Sequence, residues 1–248
     1  MRNNISFCFI ILSIVILLAP ELQAQFDLDV ETGIVFSGYN DVRIPGNGGT
    51  LFSLSEELEA DPGIFFRIRV FHDFNERHHL GALYAPLSIN STGQLDRDLI
   101  FDGETFPANT SLQATYKFNS YRLVYRYDFL RKDKIEIGVG LTAKIRDAKI
   151  AVKGDGLESE KSNVGFVPLI HFRLLWKFTK NFSFLLDGDA LAAPQGRAED
   201  VIAALIYKAS DKIDLKAGYR FVEGGADNDE VYNFALINYA AIGAVFHF

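Results

Sequence analysis

The side chains best suited to acid–base or metal chemistry in this chain are its five histidines. Three of them lie in the polar dipeptides His72-Asp73 and His78-His79, a spacing that a general base or a metal pair could use. On the strand assignment given below, His72, His78, His79 and His247 fall beside turns, and His171 falls near the middle of a strand. Solvation beside a turn explains the clusters better than ligation, so the sequence predicts no catalytic residue, metal site or cofactor.

Carboxylates form a second group of candidate ligands. Segment 45–63 contains Glu56, Glu57, Glu59 and Asp61 without a basic residue, and segment 223–230 contains Glu223, Asp227, Asp229 and Glu230. Carboxylate oxygens suit hard divalent cations, so cation bridging to an anionic surface is one interpretation. A solvated loop is the other, because unpaired charges normally face water.

Charge and cysteine content exclude two classes of function. The formal net charge of −7 argues against a nucleic-acid partner, since phosphate binding needs a basic surface. The single cysteine, Cys8, lies inside an N-terminal apolar run. The chain beyond that run therefore has no thiol for a disulfide, a metal or a nucleophile.

The N-terminal segment has the three parts of a secretory signal peptide. A positive charge at Arg2 precedes an apolar core at residues 5–18, and the small-residue site Leu22-Gln23-Ala24 follows. The apolar core is shorter than the roughly 20 residues that a membrane-spanning helix needs. We therefore predict a cleaved signal peptide at 1–24 and a single domain at 25–248.

The elements that carry these residues are predicted from alternation with a period of two. Between Ile135 and Ala151, apolar residues face one side while Glu136, Lys144 and Arg146 face the other. The same pattern predicts ten strands near residues 26–40, 64–74, 79–90, 112–129, 135–152, 164–178, 182–192, 199–209, 213–222 and 231–248. Eight or twelve strands remain alternatives, because residues 51–58 could hide a short hairpin or helix.

The predicted connections alternate in length. Short polar links at residues 75–78, 130–134, 179–181 and 210–212 alternate with mostly longer ones at 41–63, 91–111, 153–163, 193–198 and 223–230. This alternation is typical of membrane barrels with short turns at one end and long loops at the other. The apolar phase changes between Phe118 and Tyr121, and a β-bulge near Asn119 would reconcile the two halves of that strand.

A closed barrel turns the polar faces inward, and both signs of charge are then present in the lumen. The predicted charge network consists of Asp29, Glu31, Arg67, Arg69, Arg122, Arg126, Glu136, Lys144, Arg146, Arg173, Asp187, Asp189, Lys216 and Arg220. Asp27, Asp128, Asp214, Lys177 and Lys208 are also predicted to face inward. A barrel of about ten strands is close to the size that its own side chains fill. We therefore expect an ion-paired plug, with a narrow polar pore as the alternative.

The last strand resembles the C-terminal assembly signal of Gram-negative outer-membrane β-barrels. An aromatic residue, Phe248, ends the chain, Phe246 lies two residues before it and Gly243 five residues before it. Ala241 departs from the pattern, which usually has a polar residue there. The resemblance implies an all-β transmembrane up-and-down barrel in the outer membrane, with lipid, lipopolysaccharide and the barrel-assembly machinery as partners.

Three functions follow from this interpretation, and we rank them in order. The first is a structural or surface-interaction barrel with a lumen filled by side chains, and the second is a narrow channel for small polar solutes. The third is a lipid- or peptide-acting hydrolase, because some small barrels of this kind place a catalytic histidine at the outer rim. The positions of the histidines favour the first two.

Overall fold

A computed structural model of the chain describes residues 25–194 and 196–248, which form fifteen strands. The strands are β1 (Gln25–Arg43), β2 (Phe52–Ser53), β3 (Leu58–Ala60), β4 (Gly63–Asp73), β5 (His78–Ala85), β6 (Ser88–Gly93), β7 (Leu99–Phe101), β8 (Glu104–Phe106), β9 (Leu112–Lys132), β10 (Ile135–Gly154), β11 (Leu157–Lys177), β12 (Phe182–Ala193), β13 (Gly196–Lys208), β14 (Ile213–Asp227) and β15 (Tyr232–His247). The predicted signal peptide, 1–24, lies outside the described residues. None of the described residues belongs to a helix long and apolar enough to cross a membrane.

Ten of these strands form a closed antiparallel barrel. Neighbouring strands pair in the order β10, β11, β12, β13, β14, β15, β1, β4, β5 and β9, and β9 pairs with β10 to close the ring. The ten-strand prediction is therefore confirmed. We call the end that holds the short turns 74–77, 133–134, 178–181 and 209–212 the turn end, and the opposite end the loop end. Both Gln25 and Phe248 lie at the turn end, where the Phe248 amide donates to the Phe26 carbonyl at 2.9 Å.

The apolar side chains of β9 change from one face of the strand to the other near Asn119, although the strand has no bulge there. Its pairing with β10 is continuous through Asn119 opposite Asp147, and the register shift lies instead at Ile137/Gly138. One face of β9, from Leu112 through Tyr116 to Asp128, points inward along its whole length. The predicted bulge is therefore wrong. The apolar side chains change faces along the strand: in the turn-end half they are exposed on the outer face, and in the loop-end half they pack into the interior.

The same inversion occurs on β10, which extends beyond its predicted end. Outward-facing Leu141 and Ile145 are exposed and apolar, whereas Asp147 and Lys149 follow them on the same face. Inside, polar Thr142 gives way further along to Ile150 and Val152. Beyond the apolar stretch the strands continue as a barrel that is polar outside and apolar inside.

Three of the predicted long loops are wrong in length for this reason. Strands β10 and β11 continue to a turn at Asp155-Gly156, where both residues have positive φ. Their polar outer faces are joined by pairs such as Lys153–Glu158 at 2.8 Å and Lys149–Glu160 at 2.9 Å. The connections predicted at 193–198 and 223–230 likewise consist largely of strand. Paired charges on a strand give the same composition as a solvated loop, so these strand ends were predicted as loops.

The two remaining loop-end segments are long and fold back on the barrel. In segment 44–62, β2 pairs with β1 and β3 pairs with β6, so neither the alternative hairpin nor the alternative helix at 51–58 forms. In segment 94–111, β7 and β8 form a separate two-stranded sheet. Both segments contribute to a buried apolar cluster described below.

The outside of the barrel carries an apolar belt. Exposed large apolar side chains on the barrel strands include Phe26, Ile34, Phe36, Ile64, Phe66, Ile68, Val70, Tyr84, Tyr121, Leu123, Tyr125, Phe129, Val139, Leu141, Ile145, Val164, Phe166, Ile170, Trp176, Leu205, Tyr207, Leu215, Tyr219 and Ile242. A belt of this size is far larger than the apolar patches of water-soluble monomers. It matches the lipid-facing surface of a transmembrane barrel, whose strands alternate between apolar outside and polar inside.

Candidate functional site

The lumen has three levels, and the loop-end level is an apolar cap. We define the cap by the buried cluster of Val35, Val42, Ile44, Phe52, Leu54, Leu58, Phe65, Leu87, Ile89, Leu95, Leu99, Phe101, Phe106, Leu112, Ala114, Tyr116, Ile150, Val152, Ile202, Ala204, Val222, Ala235, Ile237, Tyr239 and Ala241. The folded-back segments supply Phe52, Phe101 and Phe106, whose side chains are at most 1% exposed. The cap therefore fills the loop end of the barrel in the way that a soluble protein fills its core.

A central ion network with Asp200 as its hub adjoins the cap, most of whose residues lie nearer the loop end; Ile202 and Ala204 of the cap lie on the turn-end side of Asp200 along β13. The Asp200 carboxylate accepts hydrogen bonds from Arg67 at 2.8 Å, Arg122 at 2.5 Å and Arg220 at 2.5 Å. These three arginines come from β4, β9 and β14, which lie around the barrel wall. Because the carboxylate joins strands that are not neighbours, it ties the wall together across the lumen.

The network continues toward the turn end through further pairs. Arg220 also donates to Glu31, and Lys216 bridges Glu31 at 2.8 Å and Asp29 at 2.7 Å. Arg122 contacts Asp189 at 2.6 Å and Arg69 contacts Asp187 at 2.9 Å. We use the name central ion network for Asp29, Glu31, Arg67, Arg69, Arg122, Asp187, Asp189, Asp200, Lys216 and Arg220. Buried charges in membranes are tolerated when they are paired in this way inside a bundle or barrel.

Sequence reasoning missed Asp200. The inward-facing set predicted for its strand contained only Lys208, although Asp200 has the same parity along the strand as Ile202, Ala204 and Ile206. All of these side chains are buried on the lumen side of β13. Extending the alternation from Lys208 back to the start of the strand would have found the hub.

The other residues of the predicted network occupy different levels. Arg126 pairs with Asp128 at 2.8 Å, and Glu136 pairs with Lys177, both nearer the turn end. Lys144 is buried with its ammonium 4.7 Å from the centre of the Phe118 ring. Arg146 lies toward the loop end and donates to Asn163, and Arg173 points into the turn-end cavity. The structure thus brings the predicted charges into one lumen but not into one cluster.

Three of the five histidines lie between two carboxylates each. His171 Nδ1 is 3.0 Å from Asp189 while its Nε2 is 3.8 Å from Asp187, and the side chain is buried in the central network. At the turn end, His79 lies between Asp73 and Asp128, and His247 lies between Asp27 and Asp214.

His72 and His78 point outward near the turn end, where their rings contact those of Phe26 and Tyr127. Each histidine therefore has a structural neighbour that explains its position.

The turn-end level of the lumen is an open cavity, which we call the vestibule. Its volume is about 510 Å³, and charged side chains such as Arg69, Arg173, Asp187 and Lys216 line its walls. Residues of the turns, including Thr179, Lys180 and Asp211, line its mouth. Water and small solutes can therefore enter the lumen from the turn end as far as the central ion network.

The acidic residues of the loop-end segments are dispersed. Arg97 donates to the Glu57 carboxylate at 2.6 Å and holds the pKa of Glu57 below its usual value. Glu223 accepts hydrogen bonds from Arg197 and Tyr39 on the outer face. Within residues 25–194 and 196–248, no three histidine, cysteine or carboxylate side chains are grouped closely enough to hold a metal ion. Cation bridging between this surface and a second one stays a prediction.

Two residues of the predicted assembly signal, Gly243 and Phe246, lie in the turn-end part of β15, and Phe248 follows the last residue of that strand. Gly243 faces Glu31 of β1 in the register and lies against Lys216, where a Cβ atom would come within 2.8 Å of Cε. Phe246 pairs with Leu28 in the register on the outer side of the barrel, and Phe248 is 64% exposed at the turn end. This arrangement positions the last strand between β14 and β1. Recognition by the barrel-assembly machinery stays a prediction.

Comparison with solved structures supports the fold. The outer-membrane protease OmpT from Escherichia coli aligns over 92% of this chain and 99% of its own, with 11% identity and a TM-score of 0.52. The attachment invasion locus protein Ail of Yersinia pestis aligns over 92% of this chain and 100% of its own, with 10% identity and a TM-score of 0.41. No protein-family model and no curated protein matches the sequence. The alignment with OmpT confirms the expected resemblance to outer-membrane barrels at the level of fold.

Proposed function

We propose that this chain is a bacterial outer-membrane barrel with a closed lumen, whose role is carried out by its loop-end surface. The observation that supports the proposal is that two groups of buried side chains, one apolar and one charged, fill the lumen beyond the vestibule. The apolar cap and the central ion network adjoin each other inside the lumen, and both are formed by buried side chains. The turn end would face the periplasm and the loop end the cell exterior.

The membrane location rests on the apolar belt and the amphipathic inversion of the strands. Leu141, which is 67% exposed on the outer face, would be costly in water but stable against lipid acyl chains. Polar outer side chains such as Lys149 begin where the belt ends, as expected at a membrane surface. The fold shared with OmpT supports the same location.

A narrow channel is the less favoured function for this lumen. A solute passing from the vestibule would have to break the contacts of Asp200 with its three arginines and then displace aromatic residues such as Phe101. Separating one buried charge from its partner costs about 3–5 kcal/mol. Ion flow through this path would therefore need a large rearrangement of the cap and the network.

A hydrolase is not favoured by the positions of the histidines. His79 and His247 lie at the turn end and His171 lies beneath the apolar cap, where a substrate at the cell surface would not reach them. Incubating the folded protein with labelled lipid A or peptides would detect such an activity. We expect no turnover above that of heat-unfolded protein.

The loop-end surface offers a rigid platform for contacts outside the membrane. Strands β9, β10 and β11 project beyond the belt as a paired sheet, and charges of opposite sign pair across β10 and β11, as in Lys153–Glu158 and Lys149–Glu160. Because these charges are held on paired strands, a partner would meet them without first ordering a loop. The rigidity of these paired strands supports a structural or surface-interaction role for the loop end.

Site-specific labelling on intact cells tests the proposed display of the loop end. In a Cys8→Ser background the chain contains no cysteine, so a single new thiol reports one position. Glu104→Cys places a thiol on exposed β8 at the loop end, and Asp211→Cys places one on an exposed turn at the turn end. We expect a membrane-impermeant maleimide to label Glu104→Cys on intact cells and Asp211→Cys only after the outer membrane is permeabilised. Labelling of Asp211→Cys on intact cells would contradict the orientation.

A further inference from the structure

The carboxylates that line the vestibule are all engaged by cations. They are Asp27, Asp29, Asp73, Asp128, Glu136, Asp187, Asp211 and Asp214. Each lies within ion-pair distance of a lysine, arginine or histidine. Every carboxylate of the vestibule wall therefore has a basic partner within the protein, with His79 and His247 each shared by two carboxylates.

The cations of the same wall are not all neutralised. Among the residues that the structure describes, Arg173, Arg131 and Lys180 form no ion pair with a carboxylate. Arg126 uses its Nε to contact Asp128, while its buried Nη1 has no hydrogen-bond partner within the described ranges. A buried guanidinium donor without a partner is costly. The vestibule wall thus has N–H donors that no carboxylate of the described chain engages, although its lysines and arginines equal its aspartates and glutamates in number, eight of each.

Two of these donors come from strands on either side of a side-chain-free stretch. Gly140 of β10 pairs with Arg126 of β9, and Gly138 of β10 pairs with Arg173 of β11. A Cβ atom at Gly138 would lie 2.2 Å from the Asp128 carboxylate and 3.0 Å from the Arg126 Cδ atom. Since neighbouring strands lie about 4.8 Å apart, long side chains from β9 and β11 can reach over the glycines toward one another.

We propose that the vestibule binds the phosphate or carboxylate group of a small soluble solute, held by Arg126 and Arg173 on the strands that flank Gly138 and Gly140. A guanidinium presents parallel N–H donors that match the oxygens of either group. Arg131 and Lys180, nearer the mouth, add positive potential along the entry path. A soluble solute fits better than a lipid because the mouth is lined by polar turn residues such as Thr179 and Asp211.

Titration of the full barrel, folded in a zwitterionic detergent, tests this site. Inorganic phosphate is followed by phosphorus NMR at constant ionic strength with chloride as the balancing anion, and succinate is added as a competitor. We expect saturable phosphate binding that succinate displaces and chloride does not. Arg173→Gln should weaken binding roughly tenfold or more, because it removes a charge-assisted donor pair.

Lys208→Gln is the matched control variant. Lys208 lines the same vestibule but pairs with Asp211 at 2.7 Å, so its removal should change phosphate affinity by no more than about twofold. Arg173 makes no ion pair in the described chain, so its replacement should leave folding intact, and heat-modifiable gel migration checks this. Arg126→Gln, if folded, should weaken binding as Arg173→Gln does.

Three results would overturn the proposal. The first is no saturable binding of phosphate or succinate to the wild-type barrel. The second is equal weakening by Arg173→Gln and Lys208→Gln, which would indicate a diffuse charge effect. The third is binding of a short-chain phosphatidic acid with no binding of inorganic phosphate, which would assign the donors to a lipid headgroup.

Discussion

Arg220 of β14 and Glu31 of β1 form a bidentate ion pair in the middle of the lumen, although 189 residues separate them in the chain. Arg220 Nη2 lies 2.8 Å from Glu31 Oε1, and Arg220 Nε lies 3.2 Å from Oε2. Strand β15 lies between β14 and β1 in the barrel. The ion pair therefore reaches across β15 and joins the first strand of the barrel to a strand late in the chain. It forms once the barrel has closed.

Arg220→Gln should strongly destabilise the folded barrel. The substitution leaves Glu31 and Asp200 without one of their buried cationic partners, and such a loss costs about 3–5 kcal/mol. Urea unfolding in lipid vesicles, followed by heat-modifiable migration, measures the change in the free energy of unfolding. Lys153→Gln, which removes an exposed pair with Glu158, is the control and should cost no more than about 1 kcal/mol. Equal effects of the two variants would show that the network adds little to stability.

Phe101→Ala should loosen the apolar cap without opening the barrel wall. Phe101 is 0% exposed, and its loss removes packing that is typically worth about 3–5 kcal/mol. Because β7 and β8 form a sheet separate from the barrel, we expect faster proteolysis within residues 94–111 and unchanged heat-modifiable migration. Ile100→Ala, at a 43% exposed neighbouring position, should leave the proteolysis rate unchanged. Similar rates for both variants would contradict the packed cap.

Leu123→Arg and Gln113→Arg test where the belt ends on one strand. Both side chains face outward on β9, but Leu123 lies in the apolar belt and Gln113 beyond it. An arginine in the belt should lower the free energy of unfolding by about 2–4 kcal/mol. At Gln113 the change should stay within about 0.5 kcal/mol, measured by urea unfolding in vesicles. A large effect at Gln113 would place the membrane boundary elsewhere.

The single tryptophan, Trp176, provides a built-in depth probe. It is 51% exposed on the outer face near the turn end and lies 5.7 Å from the Phe178 ring. Aromatic residues of membrane barrels gather at the interfaces. Fluorescence should therefore be quenched more by lipids brominated close to the headgroup than by lipids brominated near the chain ends. Quenching by iodide in water, with none by either lipid, would argue against insertion.

The sequence predicted the strands far better than the contacts across the lumen. Alternation placed Arg122 and Arg220 inside because a strand face depends only on local parity. Which charges meet depends on strand tilt and register around the closed ring, so the joint contact of both arginines with Asp200 was not predictable. The reversal of faces near Asn119 was misinterpreted as a bulge because alternation alone does not say whether an apolar face points outward to lipid or inward to a packed core. The direction of the apolar face depends on the distance of the residue from the apolar belt, and the fold sets that distance.

Single-channel recording of the wild-type barrel in a planar bilayer tests the closed lumen most directly. Buried side chains of the central ion network and the apolar cap together fill the lumen beyond the vestibule, so we predict no discrete conductance steps in salt solution. Trp176 quenching verifies insertion independently. A porin recorded in the same bilayer shows that the assay detects open barrels. Reproducible ohmic steps from the wild-type protein would contradict the account and support the channel alternative.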